Sequence, residues 1–200
     1  MSVTFEPPWV TLLVWEHLCW GADGVGLEHL RLRSDDGDGV IAWVDEEGRP
    51  FRLAYSIEWS PNWIFRRIRI DLTADTPGTL ELTRSADGRW ERNGVAAREL
   101  DGCDEVDLWP TPFTNSLPIR RLRLAPGATA AITVAHVIAP ELTVTPRPQR
   151  YGNLGSGIYR FESLHDGFTA DLVTDDSGFV VDYPGLFRRR ARVGATTYSG

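Results

Sequence analysis

The chain has 200 residues, of which 42% are hydrophobic and 24% are charged, with 2 cysteines and a formal net charge of −7. This balance is typical of a globular domain with a sizeable core, and it excludes a disordered chain and a disulfide-stabilised scaffold. The acidic charge argues against nucleic-acid and anionic-membrane partners, because such binders carry a net basic footprint.

The first apolar run, Val10–Trp15, contains only one threonine and is far shorter than the ~20 residues that a membrane-spanning helix needs. No basic leader stands before it. We therefore predict a cytoplasmic protein without membrane insertion. In that compartment Cys19 and Cys103 are expected to be reduced thiols.

Alternation with a period of two dominates the chain. In Phe51–Trp59 every odd position is a large apolar residue, so the segment is predicted to be a strand with one buried, aromatic-rich face. The same alternation recurs, in chain order, at residues 29–33, 64–72, 80–82, 122–124, 132–138, 142–144, 168–172 and 179–183.

Tight-turn dipeptides such as Asp36-Gly37 and Asn93-Gly94 separate these runs. Short strands about ten residues apart predict a mainly β protein with little helix, an antiparallel meander of about ten strands in one domain over residues 1–200. A single helical turn is predicted at Pro112–Pro118, confined by its two prolines. The Pro140–Pro148 stretch predicts an edge strand or a rigid connector.

Metal and cofactor motifs are missing from the sequence. The histidines have no partner at ligand spacing, and Gly152–Gly157 lacks the lysine and the strand-to-helix context of a phosphate-binding loop, so we predict no metal and no cofactor. His136 continues the apolar alternation of residues 132–138 and is expected to be a hydrogen-bonded core residue. The histidines are His17, His29, His136 and His165.

A cluster of carboxylates at residues 101–107 could serve acid–base chemistry. Asp104, Glu105 or Asp107, together with a histidine, could hydrolyse a lipid or sugar ester. Turn formation and solvation are the structural alternative for such a cluster. A carboxylate within hydrogen-bond reach of a histidine inside a pocket would favour the enzyme.

The stretch that follows combines prolines, flat aromatic rings and short polar side chains. Trp109 and Phe113 supply apolar faces, and Thr111, Thr114 and Asn115 supply hydroxyl and amide groups. A rigid loop of this composition suits contact with a sugar or a lipid headgroup. The alternative is a proline-stiffened connector whose polar groups satisfy its own backbone.

The segment from Gly102 to Leu122 resembles the putative glycolipid-binding family, a bacterial family long catalogued as a domain of unknown function. The resemblance implies a curled antiparallel sheet, described for the family as a spiral β-roll. That shape is similar to the half-barrel lipoprotein carriers of mycobacteria, whose concave side holds acyl chains. Supporting matches lie at residues 28–32, 55–59, 140, 149–151 and 182–188.

Three functions follow as hypotheses. The first is non-catalytic binding of an amphipathic small molecule, a glycolipid or related lipid, in the concave face of the sheet. The second is the hydrolase described above. The third is a structural or interaction protein with a filled interior, and in that case edge strands could mediate a homodimer. The contact residues predicted for the first hypothesis are Tyr55, Trp59, Trp109, Thr111, Phe113, Thr114, Asn115 and Arg120.

Overall fold

The computed structural model describes residues 11–18, 26–44 and 47–194. Its strands form one sheet of fifteen, in the order β8-β7-β6-β5-β4-β3-β2-β1-β15-β14-β13-β12-β11-β10-β9. They are β1 Thr11–His17, β2 Gly26–Leu32, β3 Asp36–Val44, β4 Pro50–Trp59, β5 Phe65–Thr73, β6 Gly78–Arg84, β7 Trp90–Arg92, β8 Val95–Ala96, β9 Glu105–Trp109, β10 Thr129–Ile138, β11 Thr143–Gly155, β12 Ile158–Ser163, β13 Thr169–Thr174, β14 Val180–Tyr183 and β15 Phe187–Gly194.

The predicted fold class, a mainly β protein with a single curled antiparallel sheet, is confirmed. The predicted number of strands was too low, because short strands such as β7 and β8 show too few alternating positions to stand out in the sequence. One pair departs from the antiparallel pattern: β9 lies parallel to β10. None of the helices in the described ranges could span a membrane.

The sheet curls until one of its edges meets its own inner face. The side chain of Glu105 in β9 accepts a hydrogen bond from the Phe65 amide in β5 at 3.3 Å. Just before β9, the Cys103 carbonyl accepts one from the Trp90 indole at 3.1 Å. The β9 edge is therefore covered, and β8 forms the opposite edge with only two residues. The homodimer predicted through edge strands stays a prediction.

Alternation buries the inner face of the N-terminal strands, as predicted. All five odd positions of β4, from Phe51 to Trp59, are buried. In β5 the buried row is Phe65, Ile68, Ile70 and Leu72. A register shift opposite Trp59 puts Phe65 into that row in place of the Ile64 expected from the sequence.

The predicted helical turn is longer than expected. A 3₁₀ turn at Phe113–Asn115 leads directly into helix α1, Ser116–Leu122. Pro118 is tolerated because it lies in the first helical turn, where its missing amide would have no intrahelical partner. The strand predicted at residues 122–124 was wrong, since Leu122 ends α1 and Arg123 caps it in the left-handed conformation.

In the Pro140–Pro148 stretch, residues 140–142 form a turn, and Thr143 begins β11, an interior strand of the sheet. Up to Pro148 it pairs only with β10, because β12 joins from Gln149 onward. This part of β11 is therefore a local edge, where a strand tolerates residues that cannot donate to the ladder.

Strand β10 separates two hydrophobic cores. Ala135 and Val137 pack in the first core, with the N-terminal strands, β9 and the 3₁₀ turn at residue 113. Ile132 and Val134 point the other way, into a second core made largely by β11–β15. This inner strand pair, β9 and β10, positions the functional groups described next.

Candidate functional site

A cleft of about 420 Å³ opens beside the second core, between the inner strands and β11–β15. We call it the Trp109 cleft. Its volume falls within the range of small-molecule sites and is far larger than the ~30 Å³ that one water occupies. The lining residues are Asp107, Leu108, Trp109, Thr111, Asn115, His136, Ile138, Arg147, Gln149, Phe161, Ser163, Asp166, Phe168, Tyr183, Leu186 and Phe187.

Aromatic rings form a continuous wall of this cleft. The Phe168 and Tyr183 rings are stacked with centroids 6.3 Å apart, and the Tyr183 and Phe187 centroids are 5.8 Å apart. Phe187 in turn lies 5.6 Å from Trp109, edge to face. These rings come from β14, β15, β9 and the loop after β12. They give the cleft an apolar surface suited to hydrocarbon.

A chain of hydrogen bonds faces this wall and ends at Asp107. Asn115 Nδ2 donates to the Tyr151 hydroxyl at 2.8 Å, and Tyr151 donates to Gln149 Oε1 at 3.3 Å. Gln149 Nε2 donates to Asp107 Oδ2 at 2.7 Å, and Thr114 Oγ1 donates to Asp107 Oδ1 at 3.0 Å. A carboxylate has about four acceptor positions. Asp107 therefore keeps the capacity to accept hydrogen bonds from a ligand.

Burial and the charge of Asp107 shift the pKa of Tyr151, a member of this chain of hydrogen bonds. The pKa of Tyr151 is raised well above its ordinary value, mainly because burial disfavours the phenolate and also because Asp107 is negative. Tyr151 therefore remains a neutral hydrogen-bond donor.

A sealed carboxylate lies behind the cleft. Glu28 in β2 is fully buried and accepts hydrogen bonds from the Tyr55 hydroxyl and from Thr111 Oγ1, which is 2.8 Å from both carboxylate oxygens. Burial raises the pKa of Glu28 to about 7, although both hydrogen bonds lower it in part. Because Thr111 also lines the cleft, Glu28 fixes the orientation of a residue in the cleft wall.

The eight contact residues predicted from the sequence fall into three groups. Trp109, Thr111 and Asn115 line the Trp109 cleft. Arg120 lines a different cleft, described below. Tyr55, Trp59, Phe113 and Thr114 are buried and line neither of these two clefts, although Thr114 bonds to Asp107 and Phe113 packs on Trp59. That any of the eight contacts a ligand stays a prediction.

The acidic cluster of the hydrolase hypothesis is spread over different contacts. Asp104 accepts a hydrogen bond from the Thr133 amide, and Glu105 pairs with Arg121. Asp107 and His136 occupy paired positions on β9 and β10, and both line the cleft. Over residues 11–18, 26–44 and 47–194, however, no carboxylate forms a hydrogen bond or an ion pair with a histidine. The pair that this hypothesis requires is not formed there.

His136 was wrongly predicted to be a hydrogen-bonded core residue. It is only half-buried, and its Nδ1 has no hydrogen-bond partner among the described residues. The alternation was correctly placed, but that face of β10 passes from the second core into the cleft after Val134. In the described part of the chain, His, Cys, Asp and Glu side chains form no group that could hold a metal ion. Cys19 lies outside the described residues.

Sequence reasoning missed several groups that shape the cleft. Gln149 and Tyr151 complete the hydrogen-bond chain, Tyr183 belongs to the aromatic wall and Glu28 lies behind Thr111. All four fall in the flanking segments that carry the resemblance, 28–32, 149–151 and 182–188. These residues could have been found in the sequence as polar or aromatic residues that lie both in alternating strands and in the segments that carry the resemblance.

Comparisons with known proteins agree with this architecture. Residues 12–189 match the family described as "Putative glycolipid-binding". A crystal structure of a DUF1089 family protein from Pseudomonas aeruginosa is similar, with a TM-score of 0.81 and 36% sequence identity over 86% of this chain and 95% of that chain. No curated protein matches the sequence at a significant level. With nearly its whole length matched, the chain belongs to the family described as putative glycolipid-binding.

Proposed function

We propose that this protein binds an amphipathic ligand, a glycolipid or related lipid, without catalysis in the Trp109 cleft. The observation that carries the proposal is the pairing of two surfaces across about 420 Å³: a wall of aromatic rings and a set of hydrogen-bonding groups with unused capacity. The family description points to the same ligand class.

The apolar part of the ligand would lie against Phe168 and Trp109, the partly exposed rings of the wall, with Tyr183 and Phe187 packed behind them. Each methylene removed from water contributes about 0.8 kcal/mol, so even a short hydrocarbon segment gives useful affinity. Ring hydroxyls of a sugar headgroup would donate to Asp107, while the Arg147 side chain and the His136 ring line the same cleft and offer further polar contacts.

Of the residues predicted from the sequence, Trp109, Thr111 and Asn115 are proposed as direct contacts. Tyr55, Trp59, Phe113 and Thr114 are buried and do not line the cleft, so they would act from behind by holding the contact residues in place. The cytoplasmic location also stays a prediction.

Binding of simple alkyl glucosides, measured by calorimetry below the micelle concentration, tests the proposal. We expect octyl glucoside to bind saturably and hexyl glucoside to bind about tenfold more weakly, because two methylenes are lost. Glucose without a chain should not bind measurably. Equal affinity for glucose and octyl glucoside, or no binding of either alkyl glucoside, would contradict the proposal.

Variants locate the binding. Phe168→Ala removes part of the wall, and Asp107→Asn removes the charged acceptor at nearly constant volume; each should weaken octyl glucoside at least fivefold. Leu154→Ala is the matched control, because Leu154 is exposed and lies outside the cleft. A similar loss in all three variants would place the binding elsewhere.

Mass spectrometry of lipid extracted from freshly purified protein would identify the natural ligand.

A further inference from the structure

A second cleft, of about 620 Å³, lies between the end of α1 and the turn that joins β13 to β14. We call it the Arg120 cleft. Trp63, Arg120 and Arg123 line one part of it, and Thr174–Gly178 line another. It shares no lining residue with the Trp109 cleft.

The Arg120 side chain is held in one place by aromatic rings. Its guanidinium carbon lies 3.8 Å from the centroid of the Trp63 ring and 4.9 Å from that of Phe179. The aliphatic part of the Arg120 side chain passes close to Gly178, where an added Cβ atom would lie 3.1 Å from Arg120 Cγ. Stacking on aromatic faces stabilises a guanidinium and leaves its planar edge free to bond.

The charge of Arg120 is not neutralised by an ion pair. Across the described ranges, neither Arg120 nor Arg123 forms a salt bridge, and Arg120 Nε is buried without a hydrogen-bond partner. Asp175 is already engaged, since it accepts from Arg189 Nη1 and Arg192 Nη1, each at 2.6 Å.

Positive charge is therefore in excess around this cleft. Burial lowers the pKa of Arg120, and the neighbouring charges of Arg123 and Arg192 lower it further, against an opposing effect of Asp175. Asp176 is the other carboxylate that lines the cleft. Two arginines and two aspartates line the cleft, and Asp175 also pairs with Arg189 and Arg192, so arginines outnumber carboxylates here in a chain whose net charge is −7.

Arg123 adds an observation from the backbone. It takes the left-handed conformation, with φ 46° and ψ 44°, which costs an L-residue roughly 1 kcal/mol. A residue in this conformation commonly ends a helix, and here it ends α1. Here it places a second unpaired guanidinium beside the same cleft.

We infer that the Arg120 cleft binds a phosphate group, carried by a soluble phosphate compound or by a lipid headgroup. A guanidinium held flat against an indole presents two parallel N–H donors, the arrangement that binds phosphate oxygens in a bidentate manner. The inference goes beyond the proposed function, because it concerns a separate cleft and a different chemical group.

Titration with inorganic phosphate, measured by calorimetry at constant ionic strength, tests the inference. We expect saturable binding that Arg120→Gln weakens at least tenfold and Arg123→Gln about threefold. Arg120→Lys should also weaken it several-fold, since the ammonium keeps the charge but lacks the planar fork. Arg98→Gln is the matched control, because Arg98 is exposed and lines neither cleft.

Unchanged affinity in both Arg120→Gln and Arg123→Gln would overturn the inference. So would a wild-type response to phosphate no larger than its response to chloride. Unfolding curves of each variant check that the fold is intact, and the exposed Arg123 provides a readout even if Arg120→Gln unfolds.

Two further arms distinguish the source of the phosphate group. Competition by glycerol phosphate without retention on phosphatidic acid vesicles would assign a soluble compound. A lipid headgroup would be assigned if the protein is retained on phosphatidic acid vesicles but not on phosphatidylcholine vesicles, and if Arg120→Gln abolishes that retention. Saturating octyl glucoside should change the wild-type phosphate affinity less than twofold. Failure of glucoside binding would count against the proposed function alone, and failure of phosphate binding against this inference alone.

Discussion

The inner face of the N-terminal strands is filled by the protein's own side chains, whereas the face of β11–β15 leaves a cleft. In β4 each inward position carries a large apolar residue, from Phe51 to Trp59. In β11 and β12 the corresponding positions include Gln149 and Ser163 beside aromatic residues. Curvature alone therefore does not create a cleft; the volume and polarity of the inward side chains decide which part stays open.

The two parts also treat a carboxylate differently. Glu28, on the filled side, is sealed among Tyr55 and Thr111, and its pKa is raised to about 7. Asp107, on the open side, is half-buried, accepts two side-chain hydrogen bonds and faces the cleft. Thr111 connects the two parts, because it donates a hydrogen bond to Glu28 and also lines the cleft.

The largest expected difference between the two parts is in the cost of removing an aromatic ring. Phe65 is fully buried and stacked on Trp90 at 5.1 Å, so Phe65→Ala should lower the free energy of unfolding by about 4 kcal/mol. Phe168→Ala, at the half-buried cleft wall, should lower it by less than about 1.5 kcal/mol. Urea denaturation measures both. Equal losses would remove the distinction between a filled and an open part.

A smaller effect is expected from overfilling the packed part. Gly39 in β3 lies opposite Tyr55, and a Cβ atom there would be 2.2 Å from ring atom Cε1. The ring cannot move aside freely because its hydroxyl is bonded to Glu28, so Gly39→Ala should cost about 3 kcal/mol of unfolding free energy. Gly194→Ala in β15, where a Cβ would meet nothing within 4 Å, is the control. A similar result for both variants would show that the filled part can relax.

The comparison of the two carboxylates can be sharpened by changing the pH. Because the pKa of Glu28 is raised to about 7 on folding, the folded state holds its proton to higher pH than the unfolded state. The stability from this group is thus complete below about pH 4.5 and is lost as pH rises toward 7, by at most about 1.4 kcal/mol per pH unit.

Glu28→Gln isolates that contribution. The unfolding free energy of wild type minus that of Glu28→Gln should fall as pH rises from about 4.5 to 7 and stay constant above that range. His17 and Glu105 also titrate abnormally, but both variants contain them, so their effects cancel in the difference. A difference independent of pH would mean that Glu28 is not sealed.

The strands were largely predictable, and the cleft was predictable only in part. The odd-numbered row of β4 is visible in the sequence because a half-buried strand records its two faces in alternate letters. Leu122 and Leu124 show the same alternation, yet Leu122 ends a helix, because three residues are too few to separate the two periods. The Trp109–Asn115 stretch was correctly singled out, but the sequence could not divide it between lining residues and buried supports.

The sequence by itself determined the β class, the turns and the inward row of the longer strands, because these depend on neighbours along the chain. Only the tertiary structure decided that β9 and β10 turn inward and separate two cores. The same inward turn gathers Asp107, Gln149 and Phe168 around one cleft while Arg120 faces another. Those outcomes depend on how far the sheet curls and on contacts between residues distant in the chain, which alternation along a strand does not record.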